Sequence, residues 1–355
     1  MDDYTVVLKS STDLLYAVPT LLGFYPRDSL VTIGLDRGER SWRVRFAART
    51  DLPGSAGATG AGRAPTAVEL AGYLAGHATT TAVLLVIGGA NNGGPPSPTA
   101  DLPHQKYLAE LRAACAASGI ALGASLWVAR IAEGQRWYCY EHPELSGHLS
   151  DPTSTPLAAT AVAAGQVTYA ERGELEHLVA EADPHLSRRR RALLDARIAD
   201  ATHTNTPVTG GQALALIEQW IQQAGTSAPR LAEADIIELC LAVRDAAVRD
   251  VCFGFALDKQ RADAAQRLWS ALITQAPAPI SAEIAALLAV SALLAGNGAL
   301  AGMALRRAQH SCPGHQLSDL LLQALGNGVT PAQIRQWVAH GAAAARAALN
   351  THAGT

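Results

Sequence analysis

The amino-acid sequence predicts a two-part protein, an α/β domain followed by an all-α domain, and three observations carry this expectation. The chain has 355 residues, more than the roughly 250 to 300 at which a single hydrophobic core stops growing. Residues 1–150 alternate strand-like and helix-like patterns, whereas 151–355 keep helical spacing almost throughout. Ser150, Pro152, Thr153, Ser154, Thr155 and Pro156 make a linker-like stretch where the pattern changes, and the boundary is set there.

Each element of the first domain has a local cause. Thr5 to Leu8 is a short apolar run. Ser11 or Thr12 can cap a helix that runs to Leu22, with Asp13 in its first turn, where a carboxylate meets the positive end of the helix dipole. Gly23 ends it, because glycine reaches the left-handed conformation without steric penalty and Pro26 blocks continuation. Leu30 to Leu35 and Trp42 to Ala48 flank Asp36-Arg37-Gly38-Glu39 and read as a hairpin. After the glycine- and alanine-rich loop from Gly54 to Pro65 come a helix from Thr66 to His77, a strand from Ala82 to Gly88, a helix from His104 to Ser118 and a strand from Leu122 to Ile131. That succession predicts parallel pairing within a mixed sheet. Glu133-Gly134 turns the chain into a last strand, Arg136 to Tyr140.

The densest stretch runs from Leu14 through Pro19, Gly23, Phe24, Tyr25, Pro26, Arg27, Asp28 and Ser29 to Val31, followed after the next strand by Arg49-Thr50-Asp51-Leu52-Pro53. With these segments and its helical C-terminal half, the chain resembles the actinobacterial domain of unknown function 4192. The resemblance covers nearly the whole chain and carries no activity with it. It implies a recurring element at Val248-Arg249-Asp250 and additional cysteines after the strand that ends near Tyr140, where this chain has His142 and Pro143.

In an antiparallel hairpin the start of the first strand meets the end of the second. Arg27, Asp28, Ser29, Arg49 and Asp51 therefore gather in one place and are the leading ligand-binding candidates, suited to an anion or a small polar molecule. The same residues can also satisfy turn backbone groups and pair among themselves. Arg249 and Asp250 are the second choice. The run Gly88-Gly89-Ala90-Asn91-Asn92-Gly93-Gly94 follows a strand but lacks a phosphate-binding pattern, and Pro95, Pro96 and Pro98 separate it from the next helix, so it reads as a loop. Cys139 and His142 lack partners at zinc-ligand spacing, and no metal site is expected.

The second domain contains candidate helices at Glu174–Ala182, Leu186–Ala201, Gly210–Ala224, Ala232–Leu257 with a break, Ala262–Gln275, Ala282–Leu294, Ala299–Ser311, Gln316–Leu325 and Pro331–Leu349. Ala265, Trp269, Leu272 and Pro277 repeat the spacing of Ala301, Leu305, Ala308 and Pro313. The spacing looks tetratricopeptide-like and gives two units, about 245–280 and 281–316. Arg244-Asp245 and Arg249-Asp250 are expected to lace ion pairs along one helix face, and Arg188 to Arg191 to point all around theirs.

Composition narrows the function. With 49% hydrophobic and 17% charged residues, the chain has ample core material. A net charge of −3 argues against a protein that coats nucleic acid. Five cysteines without paired spacing suit a reducing compartment, and neither a signal peptide nor a membrane-spanning run is recognisable, so a cytoplasmic location is expected. The sequence contains no GxSxG, HExxH or Walker pattern, and no cofactor can be named. The reading is a binding or protein-interaction protein with a small polar ligand in the α/β domain and a protein partner for the helical domain. The alternative is an enzyme acting on a small anionic substrate at Arg27, Asp28, Ser29, Arg49 and Asp51.

Overall fold

A computed structural model describes residues 10–37, 42–54, 64–77, 79–89, 101–142, 144–163, 166–203, 209–225, 227–326 and 329–352. The predicted run at Thr5–Leu8, the middle of the first hairpin turn and most of the 88–94 loop lie outside the described residues. The chain divides into two compact units, Met1–Arg172 and Gly173–Thr355.

The first unit is a mixed α/β domain. Helix α1 (Ser11–Leu22) is capped one residue earlier than expected, by Ser10, whose Oγ accepts from the Asp13 amide while Asp13 accepts from the Ser10 amide. This reciprocal pair satisfies two donors that a helix start leaves open. Gly23 closes the helix with φ of 76°, as its sequence position predicts. Beyond it, Phe24 bridges to Tyr169.

Among the described residues six strands follow in the spatial order β2-β1-β3-β4-β5-β6: β1 (Ser29–Arg37), β2 (Trp42–Asp51), β3 (Thr81–Ile87), β4 (Ala121–Val128), β5 (Arg136–Cys139) and β6 (Ser146–His148). β3 and β4 run parallel, joined through α3 (Gln105–Ala117), and the other pairs are antiparallel. The three-residue β6, in the segment read as approaching a linker, is too short to carry a periodic signal. α2 (Ala67–Gly76) is capped by Thr66 with Glu69 in the same reciprocal arrangement.

One sheet face packs on α2 and α3 through Leu30, Leu84, Val86, Trp127, Leu70, Leu74 and Leu111. The alternate residues Val31, Ile33, Leu85, Ile87 and Val128 are buried as well. Burial on both faces explains the unbroken apolar run of β3. The first unit extends past the Pro/Ser/Thr-rich stretch because α4 (Pro156–Ala163) packs on α1.

The second unit is helical: α5 (Arg172–His177), α6 (Pro184–His203), α7 (Gly210–Gln223), α8 (Glu233–Arg244), α9 (Ala246–Phe253), α10 (Ala262–Ile273), α11 (Ser281–Leu294), α12 (Gly298–Ser311), α13 (Gln316–Gly326) and α14 (Pro331–His352). α11 is its centre. Ile284 to Leu293 are all buried, as expected for a helix apolar on every side. The predicted break within 232–257 falls at Asp245, which caps α9 by accepting from the amides of Ala247 and Val248. Arg244 and Asp245 therefore do not continue one ion-paired face with Arg249 and Asp250, because the helix axis restarts between them. Arg188 to Arg191 each take different partners: His185, Glu233, the Gln275 carbonyl and Asp195.

Candidate functional site

The register of the sheet builds the site. Ser29 lies opposite Asp51 on one side and Ile87 on the other, and Ile87 pairs with Val128. The start of β1 and the ends of β2, β3 and β4 are therefore level. The segments just beyond them, Asp28, Leu52 and Gly88-Gly89, form one rim at the carboxyl ends of the parallel strands, where ligands in open α/β sheets commonly sit.

Along this rim the predicted residues separate into two groups. Ser29, fully buried, donates from Oγ to the Arg27 carbonyl at 2.5 Å and accepts from Arg49 Nε at 2.7 Å. The Arg49 guanidinium reaches Asp51 Oδ1 at 2.5 Å. These three satisfy one another and tie the hairpin ends together. Arg27 is exposed.

Asp28 turns the other way. Its Oδ1 accepts from the Gly89 amide at 2.9 Å, and its carbonyl accepts from the Leu52 amide at 3.2 Å. Its second carboxylate oxygen accepts no hydrogen bond among the described residues.

The residue the sequence reading missed is His104. It precedes α3 without capping it through its side chain, and its imidazole lies over Gly89. A β-carbon added at Gly89 would fall 2.4 Å from His104 Nε2, and one at Gly88 would fall 2.5 Å from Asp28 Oδ1. Both glycines have positive φ, 84° and 76°. Only glycine satisfies both the conformation and the closeness here. Burial lowers the His104 pKa from its ordinary value, opposed by the nearby Asp28 charge.

Asp28 and His104 are also the two non-glycine residues with left-handed backbones among the described residues, at φ of 43° and 59°. Each such conformation costs roughly 1 to 2 kcal/mol. The supports around them are aromatic. Trp127 Nε1 donates to the Gly88 carbonyl at 2.9 Å, and the Tyr140 hydroxyl donates to the Pro103 carbonyl at 2.5 Å, next to His104. Burial pushes the Tyr140 pKa up, so it acts as a neutral donor. Strand β4 and the segment after β5 thereby hold the loops that carry Gly88 and His104. A histidine beside a proline at a helix start has no distinctive spacing, and only the three-dimensional register brings it to Asp28.

The second-choice pair lies in the helical unit. Arg249 contacts Asp250 at 2.7 Å and Glu283 at 3.0 Å, and Glu283 accepts from His315 at 3.2 Å. Burial opposes ionisation of Glu283, but the His315 hydrogen bond and the Arg249 charge outweigh it and hold its pKa below the ordinary value. Asp250 also borders an apolar cavity of about 480 Å³.

Near Cys139, the thiol donates to Glu141 Oε2 at 3.2 Å, and Glu141 pairs with Arg112 and accepts from the Ser125 amide. Burial and the Glu141 hydrogen bond raise the Cys139 pKa, which makes this thiol a packing group. Among the described residues no group of three or more metal-ligating side chains converges.

A mixed α/β sheet domain with polar groups at the parallel strand ends, joined in one chain to a helical domain, defines the class. The chain belongs to the family described as domain of unknown function DUF4192, which matches residues 12–332. Neither a curated protein nor a solved structure matches the chain. No helix among the described residues is long and apolar enough to cross a membrane.

Proposed function

We propose that the N-terminal unit binds a small polar ligand at the end of β3, between Asp28, the Gly88-Gly89 backbone and His104. The observation that carries this reading is the convergence of two strained non-glycine residues on one glycine pair. Strain of this kind persists where surrounding structure enforces it, and it clusters at ligand-binding and catalytic sites. Asp28 has an unused carboxylate oxygen and His104 an imidazole without a hydrogen bond among the described residues, so together they suit a hydroxyl or amine. Exposed Arg27, one residue away, suits an anionic group on the same molecule. Ser29, Arg49 and Asp51 then position Asp28 by fixing the hairpin ends.

A second reading, an enzyme acting on a small anionic substrate, is favoured by one specific feature. Burial lowers the His104 pKa and so favours its neutral imidazole, with the Asp28 charge acting on it, an arrangement that suits a general base. On either reading the protein works in the cytoplasm, supported by five free cysteines. The tetratricopeptide-like spacing of α10 and α12 supports a protein partner for the helical unit.

The test is thermal unfolding of the protein and of Asp28→Ala against nucleotides, sugar phosphates and amino acids. A ligand at 100 times its Kd adds about 2.7 kcal/mol. The expected result is a rise in Tm with at least one compound that disappears in Asp28→Ala. No rise with any compound, or an equal rise in the variant, contradicts the proposal. Turnover of the same compound by the protein, lost in His104→Gln, would select the enzyme reading.

A further inference from the structure

The helical unit holds a cavity of different chemistry. This cavity of about 480 Å³ is walled by α9, α11, α13 and α14 through Phe253, Val290, Leu321, Ile334 and Trp337, and on its lining Leu320 is 62% and Trp337 54% exposed. This volume lies within the range of small-molecule sites, roughly 300 to 1,000 Å³. Asp250 is the acidic side chain on its lining. Asp250 Oδ1 takes both Nε and Nη2 of Arg249, leaving Oδ2 without a hydrogen bond among the described residues. The rest of the guanidinium is committed to Glu283, so two carboxylates share one arginine. With Glu283 also bonded by His315, Asp250 Oδ2 is the carboxylate oxygen left open beside the cavity, and Phe253 and Trp337 on the same lining are residue types whose rings attract cations.

We infer that this cavity binds an apolar molecule carrying a single ammonium group, with the apolar body among the leucine, isoleucine and aromatic side chains and the nitrogen on Asp250. A neutral apolar ligand would leave the carboxylate unused, and a carboxylate ligand would meet repulsion. α14 supplies Ile334, Trp337, Val338 and Ala342 to the wall from beyond the span that matches the family. This inference is independent of the polar site in the first unit.

The test is isothermal titration calorimetry of the full chain with n-octylammonium, 1-octanol and octanoate, which share one chain and differ in the head group. The expected order is octylammonium tightest, by about tenfold over octanol, the value of one charge-assisted hydrogen bond, with octanoate weakest. In Asp250→Asn the ammonium preference should shrink to about twofold or less. Gly341 provides the control for blocking the cavity. It lines the cavity, and a β-carbon there meets nothing within 4 Å, so Gly341→Leu should fold normally and lose binding of all three compounds. Equal affinities across the head groups, a preference that survives Asp250→Asn, binding that survives Gly341→Leu, or no binding at all would each overturn the inference.

Discussion

At Gly88-Gly89 in the first unit the space above the backbone is already filled, by Asp28 and His104, whereas at Gly341 in the second unit it is empty. The filled place is polar, strained and set by sheet register. The empty one is apolar, relaxed and set by helix packing. Glycine therefore plays two roles in this chain. In the first unit it permits a close approach that no other residue allows, and in the second it leaves room where a side chain would fit.

The largest effect expected from this comparison is at Gly88. Gly88→Ala imposes a left-handed conformation on alanine and drives its β-carbon against Asp28, including the backbone nitrogen at 2.9 Å. A loss of about 2 to 3 kcal/mol is expected in urea unfolding. A loss below 0.5 kcal/mol would mean that the rim is not closely packed.

Next comes Arg249→Ala. Removing the guanidinium leaves Asp250 without its counter-charge and Glu283 with His315 alone, and Glu283 is only 24% exposed. About 2 kcal/mol should be lost, and high salt should recover part of it by screening the carboxylates.

Much of this was legible in the sequence, because local rules govern element ends. Gly23 at the end of α1 and Thr66 at the start of α2 are short-range signals, and the helices of the second unit follow from periodicity, whereas the cap of α1 falls on Ser10 and not on the expected Ser11 or Thr12. Ser29, Arg49 and Asp51 could be grouped because a hairpin has only one way to bring its ends together. The direction of Asp28 could not be read, since it depends on β1 pairing with β3 across residues far apart in the chain. His104 was hidden for the same reason. The helix restart at Asp245 was legible only as a break, because an aspartate inside a long apolar pattern does not reveal that it caps a new helix.

Smaller effects sharpen the comparison. Gly341→Ala should stabilise the protein by about 1 kcal/mol, since the position is helical and a methyl group there meets nothing. It is the opposite sign to Gly88→Ala. Acidification should act on the first site through His104. Its folded pKa lies below the unfolded value, so its contribution to stability is present above about pH 6.5 and is lost as the pH falls through the folded value. His104→Gln should flatten that part of the stability profile. Last, thiol labelling of the native protein should reach Cys312 first. Cys115, Cys139, Cys240 and Cys252 are buried, with burial pushing Cys240 up to about 12. Early labelling of Cys115 or Cys139 would show that the first unit opens readily.

On the proposed function, Asp28, Gly88-Gly89 and His104 hold a polar ligand. The most direct measurement is the amide NMR spectrum of the ¹⁵N-labelled protein as nucleotides, sugar phosphates and amino acids are added in turn. At least one of them should move the Gly89 and Leu52 amides, both bonded to Asp28, and the movement should be absent in Asp28→Ala. If no compound moves these amides, or every compound that binds moves only resonances of the helical unit, the rim at the end of β3 is a structural joint and the claim is wrong.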